Sequence, residues 1–241
     1  MASRLAALAF DAHDPQRLAE FWAGVLEREL DPDTDPELVT LLPRAQHDFA
    51  IDFAPTDQAR WGPNQMHFDI TSTSTDDQQR VVELALSLGG RHLDIGQGPD
   101  APHVVMADPE GNEFCVIEPT NNFLANTARI GALSSDGTQA VGYFWAEALG
   151  WPLVWDQNQE TAIQSPGGGT KIAWGGPPVA PKLGKNRLHL DIAPPQGADQ
   201  QEEVERLIAL GARRIDIGQG DVSWEVMADP DGNEFCVLAP R

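Results

Sequence analysis

Two histidines and two cysteines recur at matching places along this 241-residue chain, and they are the side chains best suited to chemistry. His67, in Met66-His67-Phe68-Asp69-Ile70, returns as His189 in Leu188-His189-Leu190-Asp191-Ile192. Cys115, in Asn112-Glu113-Phe114-Cys115-Val116, returns as Cys236 in Asn233-Glu234-Phe235-Cys236-Val237. An imidazole can ligate a metal or act as a general base, and a nearby cysteine can ligate as thiolate or attack as a nucleophile. Alternate residues of a strand share a face. His67 and Asp69 then point away from Met66, Phe68 and Ile70, and Glu113 and Cys115 point away from Phe114 and Val116, so His67 and Cys115 can face one space. Packing is the competing reading, because a free cysteine often serves as a small buried hydrophobe. The sequence shows no third orienting group or oxyanion pocket for a histidine–cysteine dyad. The other histidines, His13, His47, His92 and His103, have no histidine counterpart in the opposite half, His103 being matched by Trp224.

The elements that must position these groups are themselves repeated. Leu5 to Phe10 reads as a strand, and Asp14-Pro15 starts a helix whose Leu18, Phe21, Trp22, Val25 and Leu26 fall at helical spacing. Strands follow at Leu38 to Leu42 and Phe49 to Phe53. The order restarts with a strand at Met66 to Thr71, a helix from Asp76 to Leu88 stopped by Gly89-Gly90, and strands at Arg91 to Ile95, Pro102 to Met106 and Asn112 to Glu118. Asp108-Pro109-Glu110-Gly111, repeated at Asp229 to Gly232, reads as turn chemistry and not as a calcium or phosphate site, since proline fixes one dihedral and glycine permits positive φ. The second half repeats the whole series, giving four strand–helix–strands modules. We expect one domain at residues 1–120, a connection at 121–129 and a second domain at 130–241.

Composition bounds the partners. Acidic residues outnumber basic ones 37 to 16, a formal charge of -21 that repels nucleic acid and anionic membranes. Lysine occurs only at Lys171, Lys182 and Lys185. No stretch has the roughly 20 apolar residues of a membrane span, and Asp11 ends the first apolar run too early for a secretory signal. With two cysteines expected in separate domains as free thiols, the reading is a cytoplasmic protein.

The His-x-Asp strand, the helix ending in Leu-Gly-Gly or Leu-Gly-Ala, and the Asp-Pro-Glu/Asp-Gly-Asn-Glu-Phe-Cys hairpin, in that order and twice, resemble the glyoxalase-like domains of the vicinal oxygen chelate superfamily, with its bleomycin-resistance proteins and extradiol dioxygenases. The resemblance implies an α+β fold of two tandem domains, each pairing two βαβββ modules into a curved mixed sheet that forms a cup with helices outside. It also implies that the catalytic members hold a divalent metal in the cup from four strand positions. Carried onto this chain, those positions fall near Ala7, Asp52, His67 and Cys115 in the first half and on Ile130, Ala173, His189 and Cys236 in the second. The usual set is broken in both, with cysteine where the metalloenzymes commonly have glutamate.

Two classes of function follow. One is a metal-dependent lyase, isomerase or dioxygenase in the first half, with a zinc, iron, manganese or nickel ion on Asp52, His67 and Cys115, and His67 or His189 as catalytic groups. The other is a metal-free protein that binds or sequesters a small hydrophobic or aromatic molecule, with Trp61, Cys115, Trp174, His189 and Cys236 as lining candidates, joined by Trp151 and Trp155. Trp22, Trp145 and Trp224 read as structural. The resemblance further implies either a monomer whose two domains pair within the chain or a homodimer.

Overall fold

The structure, a computed structural model, describes residues 2–33, 38–45 and 47–241. Its elements fall into four consecutive modules. Module 1 is β1 (Arg4–Ala12), α1 (Pro15–Leu26), β2 (Val39–Leu41) and β3 (Ala50–Pro55), with Leu30 bridging to Leu41 where a further short strand would lie. Module 2 is β4 (Met66–Ile70), α2 (Thr75–Ser87), β5 (Arg91–His92), β6 (Val104–Ala107) and β7 (Glu113–Val116). Module 3 is β8 (Ile130–Ser135), α3 (Gln139–Leu149), β9 (Leu153–Gln157), β10 (Glu160–Gln164) and β11 (Lys171–Trp174). Module 4 is β12 (Leu188–Ala193), α4 (Gln200–Ala209), β13 (Arg213–Arg214), β14 (Glu225–Ala228) and β15 (Glu234–Val237). Among the described residues no helix is long and apolar enough to cross a membrane.

Helix ends follow their local chemistry. Asp14 caps α1 by accepting from the Arg17 amide, with Pro15 in the first turn, and Ser74 caps α2 through the Asp77 amide. Positive φ at Gly89 and Gly211 lets the chain leave α2 and α4.

The modules pair in an order that differs from expectation. One sheet runs β13-β14-β15-β12-β1-β3-β2, and the other runs β5-β6-β7-β4-β8-β11-β10-β9. Module 1 is therefore joined to module 4 and module 2 to module 3, through antiparallel pairing of β1 with β12 and of β4 with β8. The expectation that each cup is built within one half is corrected: each cup takes one module from each half. Modules 2 and 4 share a sequence pattern, so β1 finds an equally suitable edge on β4 or β12, and side-chain alternation does not distinguish them.

Each half is nevertheless unified behind the sheets. Trp22 on α1 of module 1 packs edge-on to Phe68 and Phe114 of module 2, at centroid distances of 4.7 and 5.0 Å, and Phe10 meets Phe68 at 6.2 Å. In the second half Trp145 meets Phe235 at 5.1 Å. Two tandem domains thus exist as aromatic cores, while backbone hydrogen bonds across the halves make the cups.

Candidate functional site

Strand register decides which residues share each cup. In the module 2–3 cup, His67 lies opposite Ser134 and Asp69 opposite Ala132 across β4 and β8. Asp69 also faces Cys115 on β7, and Ser134 faces Ala173 on β11. In the module 1–4 cup the corresponding residues are His189 opposite Ala9, Asp191 between Ala7 and Cys236, and Asp52 opposite Ala9 on β3. Asp52 is thus separated from His67 and Cys115, and the Asp52–His67–Cys115 ligand set is replaced by other groupings. Ile130 pairs with Ile70 in the core and is fully buried, so Ser134, not Ile130, stands across from the histidine.

The ligating atoms of His67, Asp69 and Cys115 lie within 4.8 Å of one another, as do those of His189, Asp191 and Cys236. His67 Nε2 is 3.5 Å from Asp69 Oδ1, and Ser134 Oγ donates to Asp69 Oδ2 at 2.5 Å. Burial opposes charge on His67, but its contacts with Asp69 and Cys115 outweigh that and raise its pKa to about 10. Asp69 was visible in the repeated His-x-Asp pair, but its role depends on Ser134, 65 residues away in the chain and brought beside it only by the pairing of β4 with β8.

The two cups differ in access. The module 2–3 cup opens as a cavity of about 700 Å³, with His67 and Cys115 in its lining and Trp155, Phe123, Trp174, Val105 and Ile95 supplying apolar wall. Phe123 meets the Trp155 ring edge-on at 6.1 Å, and Lys171 Nζ stands 4.3 Å from the other ring's centroid. In the module 1–4 cup the same groups are less exposed, the His189 side chain at 12 % against 34 % for His67. Cys236 is 5 % exposed, and its Sγ lies 3.5 Å from His189 Nε2. Burial first, then the carboxylate of Asp191, pushes the Cys236 thiol well above the usual range. His189 Nδ1 is buried there with no hydrogen-bond partner. Asp52 accepts from Thr40 Oγ1 at 2.7 Å, and burial raises its pKa.

The module 1–4 cup also carries cations that the other cup lacks. Lys185 pairs with Asp11 at the end of the cup strand β1, close enough that both act on Cys236. Arg187, 8 % exposed, donates to the Asp11 and Gln58 carbonyls and pairs with Glu110 at 3.4 Å. The equivalent positions at the other cup are Pro63 and Gln65, which bring no cation.

The tryptophans divide accordingly. Trp155 and Trp174 line the open cup, although Trp174 is only 2 % exposed. Trp61, 66 % exposed, instead lines a separate pocket of about 270 Å³ between the halves and lies against Gly184. Trp151 faces another surface pocket. Trp22 and Trp145 are core residues, and they also donate from Nε1 to Asp108 and Asp229 at 3.3 and 3.2 Å.

The profile of the Glyoxalase-like domain matches residues 7–117 and 132–238. No curated protein sequence matches the chain. Among solved structures, glyoxalase I from Zea mays is similar at 14% identity and a TM-score of 0.64, covering 99% of this chain and 92% of that one. A proposed dioxygenase from Bacillus subtilis subsp. subtilis str. 168 is similar at 14% identity and a TM-score of 0.61, covering 99% and 86%. At such identities the likeness is one of fold. Two profile matches that leave out little beyond the termini and the connection, on a chain of four βαβββ-type modules, place this protein in the glyoxalase-like domain family of the vicinal oxygen chelate superfamily.

Proposed function

We propose that the protein binds a small aromatic or apolar organic molecule in the cup of modules 2 and 3, with His67, Asp69 and Cys115 at its polar end. One observation carries this reading: His67 and Cys115 line a cavity of about 700 Å³ walled by aromatic side chains, while of their counterparts Cys236 is buried and the His189 side chain is 12 % exposed against 34 % for His67. That volume lies within the range of small-molecule sites, which join an apolar wall to a few convergent polar groups.

The polar end also fits a divalent metal. Nitrogen, carboxylate and sulfur donors converge within 4.8 Å, and three protein donors with a side open to a cavity is the pattern of catalytic zinc. His67, Asp69 and Cys115 would hold the ion, which when bound supplies a Lewis acid to a polar group of the ligand. Ser134 orients Asp69 by donating from its hydroxyl to Oδ2. The wall of Trp155 and Phe123 excludes water from the apolar part of the ligand.

The mutual contacts of the three donors support a metal-free alternative, in which His67 and Cys115 serve as polar lining in a binding or sequestration protein. Cobalt(II) titration separates the two. A metal site gives one equivalent of cobalt with a thiolate-to-metal absorption band, and His67→Ala weakens binding by about 100-fold or more. Absence of the band, with aromatic ligands still bound, removes the metal and leaves the binding protein.

A further inference from the structure

We infer that the ligand of the open cup is a cation: an aromatic or apolar amine or ammonium compound recognised by Asp136 and the aromatic wall. This inference rests on the cup of modules 2 and 3 being a binding site and adds the charge of its ligand.

Asp11 and Asp136 are equivalent residues, since the Asp11 amide donates to the Arg187 carbonyl and the Asp136 amide donates to the carbonyl of Gln65, the counterpart of Arg187. At the closed cup the Asp11 carboxylate is neutralised by Lys185. At the open cup proline stands in place of that lysine, at Pro63. Among the described residues no cation or donor side chain meets the Asp136 carboxylate, which lines the cavity. The protein thus keeps the acid at both mouths and supplies its counter-ion at only one.

The rest of the lining agrees. No lysine or arginine lines the open cup among the described residues, whereas Glu113, Asp136 and Glu160 do. Glu113 is already paired with Arg60 at 2.9 Å, and Glu160 accepts from Trp155 Nε1 at 3.3 Å, so Asp136 is the carboxylate left without a partner. The Glu160 contact fixes the Trp155 indole, whose face can receive a cation. Near Asp136 an anionic ligand would meet that carboxylate, while the His67 imidazole is held against its own partner Asp69 and Lys171 is engaged by the Phe123 carbonyl. A neutral one would leave Asp136 without a counter-ion as water was displaced, and a buried unpaired charge is costly.

Calorimetric titration with three probes sharing one ring tests this: (2-naphthylmethyl)trimethylammonium, 2-naphthalenemethanol and 2-naphthoate. The ammonium compound is expected to bind about tenfold more tightly than the alcohol, and the carboxylate most weakly. Asp136→Asn should bring the ratio of ammonium to alcohol affinity close to one. Pro63→Lys, which installs the counter-ion of the closed cup, should do the same without touching the acid. An alcohol bound as tightly as the ammonium compound, or an affinity ratio unmoved by both variants, overturns the inference and leaves the cup as a neutral-ligand site. If none of the three binds, the binding-site reading falls and the inference with it.

Discussion

Residues 1–120, separated from the rest of the chain, are expected to form a twofold dimer and not a folded monomer. In the whole protein β1 completes its hydrogen bonds on β12 and β4 completes its own on β8, both from the other half. Cutting the chain leaves two bare central strand edges, each beside an apolar core, and such edges recruit another chain. Because β4 and β12 carry the same His-x-Asp pattern, β1 of one copy can take β4 of another, and two copies rebuild two cups. Light scattering after size-exclusion chromatography checks this. A monomer with cooperative unfolding would show that the halves close cups on their own and would contradict the observed pairing.

Loss of Asp108 is expected to cost about 4 kcal/mol, because several buried donors lose their acceptor together. Its Oδ1 accepts from the Glu110 and Asn112 amides, both at 2.9 Å, and its Oδ2 accepts from Asn112 Nδ2 at 2.9 Å and Trp22 Nε1 at 3.3 Å. One carboxylate thus ties the β6–β7 turn to helix α1. Asp229 repeats the arrangement with Trp145. Burial raises the pKa of both acids to about 6 from the ordinary 3.8, against the pull of their hydrogen-bond donors. A folded-state pKa above the unfolded value gives stability that is complete below about pH 3.8 and is lost as the pH rises through about 6. The deficit of Asp108→Ala relative to the parent protein should therefore widen on acidification from pH 7 to pH 4, by on the order of 1–3 kcal/mol. Urea unfolding at several pH values measures it, and a deficit that narrows contradicts the assignment.

The elements were legible because their signals are local. Asp14-Pro15, Gly89-Gly90 and the Asp-Pro-Glu-Gly turn each act within a few residues, and the structure places α1, the end of α2 and the β6–β7 hairpin where they indicate. The sharing of one face by His67 and Cys115 followed from strand alternation. Three features depended on partners distant in sequence. Asp52 belongs with His189 because β3 is parallel to β1, which pairs with β12, and no local pattern distinguishes that from pairing within the first half. The central role of Asp108 needed Trp22, 86 residues away, although an Asp and a Trp repeated together in both halves were a usable signal. Asp11 is paired and Asp136 is not because Lys185 stands where the other half has Pro63, a difference that alignment of the halves displays but whose meaning depends on Asp11 lying within reach.

The two cysteines report directly on the difference in access between the two cups. Cys115 is partly exposed in the cavity lining, whereas Cys236 is 5 % exposed with its thiol pushed upward by burial. Alkylation by iodoacetamide, followed at each position by peptide mass spectrometry under native conditions, should modify Cys115 about 100-fold or more faster than Cys236. An aromatic ligand bound in the cup should slow the reaction at Cys115 alone. Equal rates, or faster modification of Cys236, would contradict a single open site.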